Sequence, residues 1–222
     1  MAPFNNVIFD LDGTLVDTAP DLAAALRKTL QARGLKGPSD EDVRPMIGGG
    51  AGLMVRRAFE AERPGTEERE VDAALADFLD EYQANLSVRS RPFPGVIEAL
   101  EWLAARGSRL GVCTNKFEAF SVAILRDLKL DHYFGAVLGG DSLPIRKPDG
   151  GHILGVIKKL GGTAGESVMV GDSATDVSAA RNAGVPVVVV SHGYTPVPAA
   201  ELGADAVIGT CAELPDALAK FE

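Results

Sequence analysis

The chain opens on an apolar run, Val7-Ile8-Phe9, closed by Asp10 and Asp12 with Gly13 at the turn. Apolar runs bounded by turn residues read as strands buried on both faces. The pattern returns at Leu110-Gly111-Val112-Cys113, Ala136-Val137-Leu138-Gly139, Ser167-Val168-Met169-Val170, Val185 to Val190 and Ala206-Val207-Ile208. Between them, apolar residues recur every three or four positions. These predict helices from Val96 to Arg106 (stopped by Gly107), around Phe120, Ile124, Leu125 and Leu128, and around Ile153, Leu154, Ile157 and Leu160. Strands alternating with helices predict an α/β fold, a doubly wound, Rossmann-like parallel sheet.

One interval breaks the rhythm. Roughly a hundred residues separate the first strand from the next, where a parallel crossover needs about a dozen. Leu22, Leu26 and Leu30 share one helical face, with Pro20 near its start and Gly34 past its end. Ser39-Asp40-Glu41-Asp42 has the form of a capping box. Met54, Val55, Ala58 and Phe59 make a further face, and Val71, Leu75, Phe78, Leu79, Tyr82 and Leu86 a longer stripe. These predict an inserted α-helical cap over residues 17–88, on a core made of residues 1–16 and 89–222. The connections are Asp17-Thr18-Ala19-Pro20 and Ser87 to Gly95, the second stiffened by Arg91-Pro92-Phe93-Pro94-Gly95. Two connections on one side of a sheet form a hinge, so the insert is expected to work as a lid.

Charge narrows the partners. Acidic residues number 31 against 22 basic, a formal net charge of −9, which argues against nucleic acid and anionic membrane surfaces. An anionic substrate must then be drawn by local cations. No apolar run approaches a membrane span, and the first strand follows the N-terminus with no signal peptide pattern. Cys113 and Cys211 are the only cysteines, so both are expected as buried thiols in a reducing cytoplasm.

The polar residues closing the strands carry the chemistry. Ligands of open parallel sheets bind beyond the carboxyl ends of the strands. Asp10 and Asp12 stand there as two carboxylates whose mutual repulsion calls for a cation or a proton. Asp10, at a rigid strand end, is suited to attack as a nucleophile, and Asp12 to act as general acid and then general base. A divalent cation, Mg²⁺ above all, would neutralise the pair. The second strand ends in Thr114-Asn115, a later one in Gly171-Asp172 with Asp176 beyond, and Lys147 lies in the loop between. Thr114 and Asn115 offer donors and Lys147 a point charge for phosphoryl oxygens. Asp172 completes a metal site, and Asp176 braces the loop or orients a metal-bound water. Each has a plainer reading when taken singly: turn aspartates, a helix cap, a solvated lysine.

The ordered set Asp10-Leu11-Asp12-Gly13-Thr14, Thr114-Asn115, Lys147-Pro148 and Gly171-Asp172-Ser173-Ala174-Thr175-Asp176 resembles the four motifs of the haloacid dehalogenase-like hydrolases. The resemblance implies a Mg²⁺-dependent phosphatase acting through an aspartyl-phosphate. It implies metal ligation by Asp10, the backbone carbonyl of Asp12, and Asp172, and it matches the helical insert to the family's small cap. Phe93-Pro94-Gly95-Val96, Cys113-Thr114-Asn115-Lys116, Ser191-His192-Gly193-Tyr194 and Leu202-Gly203-Ala204-Asp205 resemble the phosphoglycolate phosphatase branch, which implies 2-phosphoglycolate as substrate. A phosphomutase, a sugar-phosphate phosphatase and a non-catalytic phospho-aspartate sensor remain as alternatives.

Selectivity is expected from the cap loop Ile47-Gly48-Gly49-Gly50-Ala51-Gly52, with Gly49 and Gly50 letting backbone amides approach a ligand. Arg44, Arg56 and Lys116 are the candidate anion contacts. His132, His152 and His192 lack metal-ligand spacing. The chain is expected to act on a small phosphorylated metabolite as a monomer or homodimer.

Overall fold

The computed structural model describes residues 4–221. Strand β1 (Asn6–Phe9) leads into the short β2 (Val16–Asp17), followed by helices α1 (Ala19–Gln31), α2 (Asp40–Val43), α3 (Ala51–Glu62) and α4 (Glu68–Gln83). The chain returns through β3 (Arg91–Pro92) and α5 (Val96–Ala105). It then alternates β4 (Arg109–Cys113), α6 (Glu118–Asp127), β5 (Phe134–Leu138), α7 (Gly150–Lys159), β6 (Ser167–Gly171), α8 (Ala174–Ala183) and β7 (Val187–Val190). Strand β8 (Ala206–Ile208) and helix α9 (Leu214–Leu218) close it.

The expected α/β sheet is present. Six strands run parallel in the order β5-β4-β1-β6-β7-β8, with Phe9 of β1 opposite Val112 on one side and Val170 on the other. The first strand is therefore central, and the polar residues after β1, β4 and β6 are neighbours in space. The pleat sorts the core into two layers. Val7, Phe9, Val168, Val170, Val188 and Val190 pack on the side that also holds α1, α3, α4 and α5. Ile8, Met169, Val187 and Val189 pack against α7 and α8.

Strand β7 starts two residues later than the apolar run suggests. Gly184 adopts a left-handed conformation at φ 67°, and the Val185 N–H bonds back to the Ala180 carbonyl at 3.0 Å to close α8. Pro186 has no N–H, so pairing resumes only at Val187.

The capping box at Ser39 and Asp42 forms, and Pro20 sits in the first turn of α1. Unanticipated from sequence is the ribbon that β2 and β3 make, with Val16 opposite Pro92 and Asp17 opposite Arg91. The chain therefore leaves the sheet and rejoins it side by side. Buried Asp21 braces this junction by accepting hydrogen bonds from the Arg89 and Ser90 N–H groups and the Ser90 hydroxyl, at 2.7–3.0 Å. Phe78 and Tyr82 stack, and Phe120 meets Tyr82 edge-on at 5.9 Å, joining α4 to α6.

Candidate active site

Asp10 continues β1 by donating its N–H to the Val170 carbonyl at 2.9 Å, which holds its backbone to the sheet. The chain then folds tightly: the Leu15 and Val16 N–H groups both bond the Leu11 carbonyl at 3.0 Å. Gly13 makes this possible with φ 85°, and a Cβ there would lie 2.6 Å from an Asp172 carboxylate oxygen.

The Lys147 ammonium lies between two carboxylates, 3.0 Å from Asp10 and 2.7 Å from Asp176. All three are buried. Asp176 also accepts from the Asp172 and Ser173 N–H groups and the Ser173 hydroxyl, in the capping box that starts α8. Asp172 is held by the Thr14 hydroxyl at 3.0 Å and the Tyr194 N–H at 2.8 Å.

Asp10, Asp172 and Asp176 each offer a carboxylate oxygen within 4.8 Å of the others. Three buried carboxylates face one ammonium. Burial pushes Asp10 up to about 6, against the pull of Lys147 and with the help of Asp176 and Asp12. Burial, then Asp176 and Asp10, hold Asp172 well above the ordinary carboxylate range. Burial acts to lower Lys147, but Asp10 and Asp176 outweigh it and keep the ammonium charged. A cluster short of positive charge, built from hard oxygens, fits a metal cation.

Asp12 stands apart from this cluster. Its carboxylate takes a hydrogen bond from the Thr18 hydroxyl at 2.7 Å and both Lys116 contacts, at 2.9 and 2.8 Å. Thr18 precedes α1 yet gives its hydroxyl to Asp12 instead of capping the helix. The Lys116 side chain is 5% exposed and lies 4.8 Å above the Tyr82 ring, and Asp12 and Tyr82 overcome its desolvation to hold it charged. The buried carboxylate cluster is thus made of Asp10, Asp172 and Asp176, and the Asp12 side chain is not part of it.

Thr114 is buried at the end of β4, and its hydroxyl accepts the Lys116 N–H at 3.3 Å. Asn115 spends its amide protons on the Gly48 and Lys147 carbonyls, both at 3.0 Å. That ties the glycine loop to the Lys147 loop. A cavity of about 250 Å³ opens between them, walled on one side by Asp10, Asp12, Thr114 and Asn115. Ile47, Gly48, Gly50 and the start of α3 wall it opposite, with Leu75, Phe78, Leu79 and Tyr82 of α4. Gly50 is on this wall. Gly49 is not, and a Cβ there would meet Leu53.

Of the candidate anion contacts, Arg56 pairs with Glu68 and Arg44 with Asp17, the latter also lying 5.0 Å over the Tyr194 ring. Tyr194 enters the sequence reading only within the motif Ser191-His192-Gly193-Tyr194, with no role in the site assigned to it. Its hydroxyl donates to Asp17 at 2.6 Å and accepts from the Ala19 N–H at 3.0 Å, while its backbone holds Asp172. The available signal was an aromatic beside a glycine just beyond a strand end. His192 lies tilted against Phe93 with ring centroids 4.1 Å apart, and His152 is buried, which pushes it down to about 4. Cys113 and Cys211 are buried free thiols.

Gly193 has no room for a side chain: a Cβ there would lie 2.1 Å from the Asp172 Cβ. Gly193→Ala is therefore expected to displace Asp172 and to destabilise the protein by about 1–3 kcal/mol, read by urea unfolding.

The family model for haloacid dehalogenase-like hydrolases matches residues 7–190. Phosphoglycolate phosphatase of Agrobacterium fabrum is 47% identical over 95% of this chain and 91% of its own length. That of Caulobacter vibrioides is 44% identical over 95% and 89%. The crystal structure of a predicted phosphoglycolate phosphatase from Haemophilus somnus superimposes with a TM-score of 0.91 at 35% identity, covering 97% of this chain and 98% of the other. The chain belongs to the haloacid dehalogenase-like hydrolase family, and it is a phosphoric monoester hydrolase of that family. Within the family it resembles the phosphoglycolate phosphatases.

Proposed function

We propose that the protein is a Mg²⁺-dependent phosphatase whose substrate is a small phosphomonoester, 2-phosphoglycolate, yielding glycolate and phosphate. The observation that carries it is the setting of Asp10. This carboxylate ends the central strand, lies 3.0 Å from Lys147 in a charge-deficient cluster, and opens on a cavity of about 250 Å³. That volume suits a metabolite of few atoms.

An Asp10 oxygen attacks phosphorus and the ester P–O bond breaks, with Asp12 delivering a proton to the leaving oxygen. Water then attacks the acyl-phosphate, Asp12 takes its proton, and the P–O bond to Asp10 breaks. Thr114 and Lys147 hold the phosphoryl oxygens. Asp10, the Asp12 backbone carbonyl and Asp172 would hold the cation, with Asp176 supporting them. When bound, the cation supplies neutralising charge for the transferring group. Residues 17–88 act as the cap, hinged at the β2–β3 ribbon, with Gly50 and Asn115 at the seam.

Among the described residues no helix is long and apolar enough to cross a membrane. The protein is proposed to act in the cytoplasm on a small phosphorylated metabolite, as a monomer or homodimer.

Phosphate release from a panel of phosphomonoesters, with and without Mg²⁺, tests the function. A metal-dependent preference for 2-phosphoglycolate supports it. A preference for a hexose phosphate moves it to the sugar-phosphate phosphatases, and conversion without phosphate release to the mutases.

Stability should report the cation as well. Asp10 has a higher pKa in the fold (about 6) than unfolded (near 3.8), so the folded state binds the extra proton between those values. Stability of the metal-free protein therefore falls as pH rises from about 4 to about 6, and the full penalty remains above. Mg²⁺ is expected to raise Tm more at pH 7.5 than at pH 4, measured by scanning calorimetry.

A further inference from the structure

We infer that Arg146 selects the substrate by binding a carboxylate carried on its leaving group. The inference rests on the phosphatase proposed above and names the group that reads the other end of the substrate.

Two cationic side chains line the cavity, Lys116 and Arg146. The Lys116 side chain is nearly fully covered and is committed to both oxygens of Asp12. Arg146 is exposed at the mouth, and among the described residues its guanidinium has no carboxylate within ion-pair distance and no hydrogen-bond acceptor. In a chain with nine more acidic than basic groups, a cation left free on the wall of the active cavity is available to a ligand.

Its position is set from two sides. Arg146 immediately precedes Lys147, whose ammonium grips Asp10, so the loop that secures the nucleophile also carries the guanidinium. Opposite stands Gly50, where a Cβ would lie 3.3 Å from Arg146 Nη1. The bare glycine leaves the space the guanidinium uses.

Helix α3 begins at the same corner. Its first hydrogen bond runs from the Met54 N–H to the Gly50 carbonyl, which leaves the preceding amides of the first turn without helical acceptors. A guanidinium beside the positive end of a helix repels it unless an anion lies between. The phosphoryl group belongs at Asp10, so this corner takes the second anion of a doubly anionic substrate. The nearby wall of Leu75, Phe78 and Leu79 offers a carboxylate nothing. Arginine presents a planar fork that matches a carboxylate's two oxygens. The substrate class is a short phosphomonoester with a carboxylate on the alcohol side.

The experiment is a paired-substrate comparison in the Mg²⁺-loaded enzyme. Values of kcat/KM are measured for 2-phosphoglycolate and 3-phosphoglycerate, each against a carboxylate-free ester of similar size (2-hydroxyethyl phosphate and glycerol 3-phosphate). Wild type, Arg146→Lys and Arg146→Met are compared. Arg146→Met is expected to lose about tenfold to a hundredfold on the preferred carboxylate ester, mostly through KM, and to lose far less on the carboxylate-free esters. Arg146→Lys recovers part of the loss.

Unchanged discrimination in Arg146→Met, or an equal loss on both members of a pair, overturns the inference while leaving 2-phosphoglycolate as substrate. If wild type prefers 3-phosphoglycerate and Arg146→Met erases that preference, the inference stands and the proposed substrate falls. A wild type indifferent to the carboxylate overturns both.

Discussion

Asp10→Asn is expected to lower the rate of phosphate release at least about a thousandfold while leaving the protein folded. The amide keeps the shape of the side chain but cannot attack phosphorus. Burial already holds the Asp10 carboxyl up to about 6, so at neutral pH its charge is an unfavourable one in the metal-free fold. Removing that charge should leave Tm unchanged or raise it. Loss of activity with loss of Tm would mean collapse of the site, a different result. Because Asp10 is also a proposed metal ligand, activity alone does not isolate the nucleophile. Acid quenching after mixing with ³²P-labelled substrate does: label on the wild-type protein that is absent from Asp10→Asn marks the covalent step. Label that persists on wild type with no free phosphate would support the phospho-aspartate sensor instead.

Lys147→Met should cost both activity and stability. The Lys147 side chain is 1% exposed, and its ammonium is the positive partner of Asp10 and Asp176. Breaking a buried pair from one side leaves the remaining charges uncompensated, a loss of about 3–5 kcal/mol. Lys147 is also the main influence holding the Asp10 carboxyl down against burial. Without it Asp10 moves above about 6 and is protonated over more of the neutral range. The acid limb of the kcat/KM profile should shift to higher pH, and activity at pH 7 should fall by at least about a hundredfold. Urea unfolding and a pH–rate profile read the two effects separately. Added Mg²⁺ is expected to restore stability more than rate, since a cation relieves carboxylate repulsion but does not replace the ammonium beside the nucleophile. An unchanged profile would remove Lys147 from the site.

The apolar runs were sufficient to locate the six strands of the parallel sheet, because a strand buried on both faces has little freedom in its residue types. Val7-Ile8-Phe9, bounded by Asp10 and Gly13, is too short for a helix of its own and is a strand in the fold. Its β-branched and aromatic residues leave one element, and the parallel sheet follows from the helices between strands. The boundary at Val185 was misread because periodicity does not register a helix cap: the decisive bond runs back to Ala180, and Pro186 withholds a donor. The candidate residues could be named one by one, since Asp10, Asp12, Thr114, Asn115, Lys147 and Asp172 each follow a strand and Asp176 lies in the first turn of the helix after β6.

What sequence alone could not supply was who faces whom. Asp12 and Lys116 are 104 positions apart, Asp17 and Tyr194 are 177 apart, and only the sheet order brings each pair together. Gly49 and Gly50 are equivalent on paper, and loop geometry turns only one of them to the cavity. Selectivity is expected from the helical insert, and Arg146, the cavity cation that has no ion-pair partner among the described residues, sits on the core loop beside Lys147. Strand identity is decided by each segment's own side chains and their hydration, which sequence records directly. Pairing of charges across the chain is decided by the topology that closes long loops, and by the low dielectric that makes those few pairings strong.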